Sequence, residues 1–148
     1  MARADFYQLK ESHGNDRYRL LQQLLSKSVG AGHQVHIHCR DAAEAAHLDD
    51  YIWAFKPESF LPHHQLGQGQ GQGQEQEQEQ KIKSPITLGH QDLWPEQADI
   101  CINFSPDPVS GIARIIEIVV QEPEILQQTR EHYRHYQQQG HTLHVHKI

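Results

Sequence analysis

The chain has 148 residues, enough for one domain with a substantial core. Its hydrophobic fraction of 36% and mean hydropathy of −0.75 are low, yet much of that polarity sits in one stretch. A formal net charge of −6 argues against a protein whose main task is to grip duplex DNA through phosphates, and leaves room for a local positive site. The N-terminus has no apolar signal region and no run reaches membrane-spanning length, so a soluble cytoplasmic protein is expected.

In chain order, Ala4 to Leu9 reads as a short strand. Asn15 and Asp16 are placed to cap a helix whose apolar face is Tyr18, Leu21, Leu24, Leu25 and Ser28, and Gly30 and Gly32 end it. Val35 to Cys39 is a second strand, with Val35, Ile37 and Cys39 alternating against His36 and His38. Asp41 and Glu44 have capping-box spacing, and the helix they open runs through Ala45, Leu48, Ile52 and Trp53 to Pro57 at the latest. Glu58 to His64 is irregular. Gly67 to Gln80 alternates Gly-Gln and then Glu-Gln without one apolar residue, which predicts a disordered surface loop inserted within a single domain spanning 1–148.

Ile86 to Leu88 and Asp99 to Phe104 read as two further strands, and Ile112, Ile115, Ile116 and Val119 as one face of a helix. Pro123 to Gln139 is the last helix, with Pro suited to its first position and Gly140 to the left-handed residue beyond its end. Ile125, Leu126, Thr129, Tyr133 and Tyr136 form its core stripe, and His141 to His146 is a closing strand. The sum is an α/β chain, a three-layer α/β/α sandwich on a mostly parallel sheet of about five strands with four helices.

On the last helix Arg130, Arg134 and Gln137 follow i, i+4, i+7 with Tyr133 between the arginines. That spacing makes a cationic ledge beside an aromatic ring, suited to a carboxylate and an apolar group together. The same residues would also make an ordinary solvated face. The thirteen histidines raise a second possibility, a metal-dependent hydrolase using His36 with His38 or His144 with His146 and the strand-end carboxylates Asp5, Asp99 and Asp107. No spacing among them is diagnostic of zinc, and they read more simply as partly exposed strand-face residues. Cys39 and Cys101 each lie in an apolar run and read as buried free thiols.

The order of the pieces resembles the DNA polymerase III chi subunit family. The likeness rests on Asp5-Phe6-Tyr7-Gln8-Leu9, on Leu48-Asp49-Asp50-Tyr51-Ile52-Trp53 and on Glu58-Ser59-Phe60-Leu61-Pro62-His63. It continues through Pro85-Ile86, Asp99-Ile100-Cys101-Ile102-Asn103-Phe104 and Arg114-Ile115-Ile116-Glu117-Ile118-Val119 to Arg130-Glu131-His132-Tyr133-Arg134-His135-Tyr136 and Gly140. Only the Gly/Gln/Glu tract falls outside it. The resemblance implies an accessory protein of the bacterial clamp loader, without catalytic activity or cofactor, that meets DNA only indirectly. It implies two partners, the psi subunit and the acidic C-terminal tail of single-strand-binding protein. Arg130, Tyr133 and Arg134 would hold the tail, and Trp53 and Phe60 would face psi, although either ring could equally be core. Leu126 stands where family members can carry a further basic residue, which implies a weaker grip. The Gln-rich tract is a further candidate for recruiting a partner.

Overall fold

The architecture follows from strands that are apolar on both sides and helices that are apolar on one. The computed structural model describes residues 2–10, 16–54, 63–66 and 85–147, with the side chains of Trp53 and His64 left aside. These residues form β1 (Arg3–Gln8), α1 (Arg17–Gly30), β2 (Val35–Cys39), α2 (Ala42–Trp53), β3 (His63–Gln65), β4 (Ile86–His90), β5 (Ile100–Asn103), β6 (Arg114–Val119), α3 (Pro123–Gln138) and β7 (Thr142–Lys147). The sheet runs β3-β4-β2-β5-β6-β1-β7 and every neighbouring pair is parallel.

The sandwich expected from the sequence is present, with two corrections. The segment through Ile112, Ile115, Ile116 and Val119 is not a helix, since Arg114–Val119 is the strand β6. A central parallel strand is buried on both faces, so its apolar residues run almost without a break and also satisfy three- and four-residue steps. Here Ile115, Glu117 and Val119 face one side, Ile116 and Ile118 the other, and all are buried. The run is also rich in β-branched residues, which favour the pleated conformation. Within the stretch expected to be irregular, His63 opens β3, which pairs with β4 through His63 and Ile86. These two additions raise the expected five strands to seven.

Gly67 to Gln80 and Phe60 lie outside the described residues. So does the end expected for α2 at Pro57; among the described residues that helix closes at Trp53. Its start is as expected. Asp41 Oδ1 accepts from the Glu44 amide at 2.8 Å, and Glu44 Oε1 accepts from the Arg40 amide at 2.6 Å.

One face of the sheet is covered by α1 and α2. Leu21, Leu24, Leu25, Ala45, Leu48 and Ile52 pack there against Ile37, Leu88, Ile102 and Ile116. On the other face α3 lays Tyr136 and Leu126 over Ala4, Phe6, Cys101, Ile115 and Val119. Register places His36 beside Cys101 and His38 beside Asn103, so both histidines share the α3 side of the sheet. Over them lies the segment following β4 in place of a helix.

Candidate functional site

What α3 presents outward is decided by what it anchors inward. Leu126 donates its amide to Glu122 O across the Pro123 start, and Gly140 ends the helix at φ 80°. The buried side carries His132 and Tyr136, exposed by 2% and 0%. Both reach Glu117 on β6, itself buried. Tyr136 Oη donates to Glu117 Oε2 at 2.7 Å and accepts from the Val109 amide at 3.1 Å. His132 Nδ1 lies 3.0 Å from Glu117 Oε1, and its Nε2 lies 2.8 Å from Pro106 O. Asn103 Nδ2 donates to Glu117 Oε2 at 2.8 Å.

Both ring nitrogens of His132 face oxygens, so opposite an ionised Glu117 both donate, which is the imidazolium form. Burial alone would lower its pKa. The hydrogen bond and charge of Glu117 and the carbonyl of Pro106 outweigh burial and raise it. Burial and the Glu117 charge push the Tyr136 phenol well above its ordinary value. A buried ion pair with its hydrogen bonds filled fixes the roll of α3 about its axis.

With that roll fixed, Arg130, Tyr133 and Arg134 face solvent together. Tyr133 is 37% exposed and its ring rests on Phe6, with centroids 5.4 Å apart and planes tilted by 52°. The sequence placed Tyr133 in the core stripe as well as on the ledge. It sits at the boundary, while His132, absent from that stripe, occupies the interior. Among the described residues, neither arginine makes an ion pair or hydrogen bond within the chain.

The neighbouring edge strand adds what periodicity on α3 does not show. Register sets Val145 beside Phe6, and Leu143, Val145 and Lys147 alternate on the α3 side of β7. Val145 is 53% exposed. The ledge therefore borders an apolar strip with a lysine beyond it, an arrangement able to hold an anionic, partly apolar group.

The other candidates separate. Trp53 is the last residue of α2, and Phe60 lies outside the described residues. His36 and His38 share one side of β2, as expected, but they are buried and not partly exposed. Burial, then the neighbouring imidazole, lowers His36 to about 3; burial, then His90, lowers His38 to about 4. Of the strand-end carboxylates, Asp5 is buried and held by Arg3 at 2.9 Å, Arg114 at 2.9 Å and His146 at 3.0 Å. Burial would raise its pKa, but these donors, His146 foremost, hold it below the ordinary value. Asp99 lies against His33, so Asp5 with His146 and Asp99 with His33 are separate pairs and do not gather into one cluster. Among the described residues no group of three or more His, Cys, Asp or Glu is placed to hold a metal ion. Cys39 and Cys101 are buried free thiols, and burial drives both pKa values up, away from nucleophile chemistry. No helix among the described residues is long and apolar enough to cross a membrane.

Comparison with known proteins agrees with the order of motifs. Residues 1–144 match the family model described as DNA polymerase III chi subunit, HolC. A DNA polymerase III subunit chi from Pseudomonas aeruginosa is 31% identical over 151 residues, covering 100% of this chain and 98% of that protein. The corresponding protein of Escherichia coli is 27% identical over 97% of this chain and 96% of its own length. That of Haemophilus influenzae is 27% identical over 95% and 93%.

Proposed function

The chain belongs to the DNA polymerase III chi subunit family, and from that premise we propose that it is a non-catalytic adaptor of the replication machinery, linking the clamp loader to single-strand-binding protein. In this reading the whole chain is one chi-like unit acting in the cytoplasm. It holds psi with one surface and the acidic C-terminal tail of single-strand-binding protein with another, and reaches DNA only through that partner.

The observation that supports the tail site is the exposure of Arg130, Tyr133 and Arg134 on one face, with no carboxylate of the chain paired to either guanidinium among the described residues. Arginine forks onto carboxylates in planar geometry, and a tail ending in a phenylalanine carboxylate offers an anion and an apolar ring together. A charge-assisted hydrogen bond contributes about 1.5–3 kcal/mol, and burial of a phenylalanine side chain about 1.5–3 kcal/mol. Two or three such terms, less the cost of ordering a flexible peptide, give an affinity on the order of micromolar.

The test is titration of the purified chain with a peptide ending Asp-Asp-Ile-Pro-Phe at low salt. Saturable binding that drops about tenfold in Arg130→Ala is expected. No binding, or binding indifferent to that substitution, would remove the tail from this face. For psi, Trp53 and Phe60 remain the proposed contacts. Co-expression with psi should give a complex that Trp53→Ala or Phe60→Ala weakens, and an undiminished complex in both variants would move the contact elsewhere.

A further inference from the structure

On the side of the sheet where α3 covers β6, β1 and β7, the part over β2 and β4 is closed by the segment between β4 and β5. Its central residue is Trp94. The indole lies flat on the His38 ring, with centroids 3.8 Å apart and planes within 11°, and leans on His36 at 5.1 Å. Those imidazoles are themselves tied down. His36 Nδ1 sits 2.8 Å from Thr87 Oγ1, and its Nε2 sits 3.1 Å from His38 Nδ1. The turn that brings Trp94 over them uses a left-handed Gln91, at φ 53°. It also requires Gly89, where a Cβ would collide with the Leu93 carbonyl oxygen and sit 2.8 Å from His36 Cε1. So much local structure fixes this indole, and yet it remains 41% exposed.

Trp94 forms a wall of two clefts. The smaller, about 330 Å³, is flanked by Arg40, which is close to Asp41 at 3.7 Å. The larger, about 570 Å³, is bounded by Pro95, Glu96, Asp99 and Ile112. Charge on the residues lining the larger cleft has one sign. From Pro85 to Ala113 the chain has no lysine or arginine, and Asp92, Glu96, Asp99 and Asp107 are all exposed. Asp99 Oδ2 accepts from the Gln34 amide at 2.9 Å, whereas Glu96 makes no bond among the described residues. The balance is the reverse of that from Arg130 to Lys147, where Arg130, Arg134 and Lys147 stand against Glu131.

We propose that Trp94, with Glu96 and Asp99 beside the larger cleft, is a second docking surface, and that its occupant is an arginine-bearing basic segment of a partner protein. A guanidinium stacks on indole and at the same time forks onto a carboxylate, which an ammonium group does less well. An exposed ion pair alone contributes little, so the apolar wall of Pro95 and Ile112 must take up the stem and neighbouring side chains of a peptide. That requirement selects a chain segment over a free cation. The surface uses elements other than α3 and β7 and does not depend on the tail site.

The experiment follows tryptophan emission in Trp53→Phe protein, which leaves Trp94 as the reporter. The probes are an amidated heptapeptide carrying three arginines among alanine and leucine, its lysine twin, and arginine amide. Saturable quenching by the arginine peptide is expected, with at least about fivefold weaker binding of the lysine twin and little by arginine amide. Glu96→Gln should weaken it about fivefold, and Trp94→Leu, with binding read by calorimetry, should abolish it. Arg130→Ala should leave it unchanged, and Glu96→Gln should leave tail-peptide binding unchanged, so the two surfaces succeed or fail separately. The proposal is overturned by absent or unsaturable quenching, by binding indifferent to Glu96→Gln and Trp94→Leu, by parity of the two peptides, or by arginine amide binding as tightly as the peptide.

Discussion

Glu117 accepts from Tyr136 and Asn103 and pairs with His132, so its carboxylate is the point where α3 is held to the sheet. Glu117→Ala leaves an imidazolium buried without its counter-charge, and should cost about 3–5 kcal/mol in a urea melt. Histidines elsewhere act in the opposite sense with pH. Those at 36 and 38 are lowered from 6.5 to about 3 and about 4, so below pH 6.5 the unfolded chain binds more protons and stability falls with acid. His132 is raised, so its contribution is complete below its unfolded pKa and is lost as pH rises through the folded one. Two lowered groups outweigh one raised group on the acid side. The urea midpoint should therefore drop between pH 7 and pH 5, and drop less in His38→Gln. An equal drop in the variant would show that the acid limb belongs to other groups.

Among the elements, the turn after β4 makes the sharpest prediction. Gly89→Ala has no room for its methyl group, so the 90–94 turn must shift, at a cost of about 1–3 kcal/mol with a red-shifted Trp94 emission. Unchanged emission would mean that the turn gives way without moving the indole. Legibility in the sequence divides along the same lines. Helices α1 and α3 and strands β2 and β7 each show one periodic face, and that face could be read directly. Strand β6 could not, because burial on both sides removes the alternation that marks a strand. The three residues of β3 are too few to carry a pattern. Arg130, Tyr133 and Arg134 were legible because the helix repeat alone sets them together. Their anchor was not, since His132 and Glu117 are 15 residues apart on different elements and meet only when the sheet is formed. Trp94 belongs to no periodic segment, and its exposure comes from a turn that only Gly89 permits.

Over the whole molecule, charge is distributed unevenly: cationic from Arg130 to Lys147, anionic from Pro85 to Ala113, within a net −6. Tail-peptide binding should weaken steadily between 50 and 300 mM salt, values spanning a Debye length from roughly 14 to 6 Å, because the arginines are exposed. Salt-independent binding would mean that the ledge is not the contact. Deleting Gly67 to Gln80 should leave the melting temperature within a few degrees, since closure entropy changes only with the logarithm of length. A large loss would assign that tract a packing role. Finally, β1 lies between β6 and β7, and Asp5 meets Arg114 and His146 across 109 and 141 residues. During synthesis β1 therefore emerges long before either of its neighbours exists, and its hydrogen-bonding edges stay open until residues 114–147 have followed it. The arginine face on α3 forms only once β6 is in place to anchor it, so a nascent chain that ends before α3 lacks it.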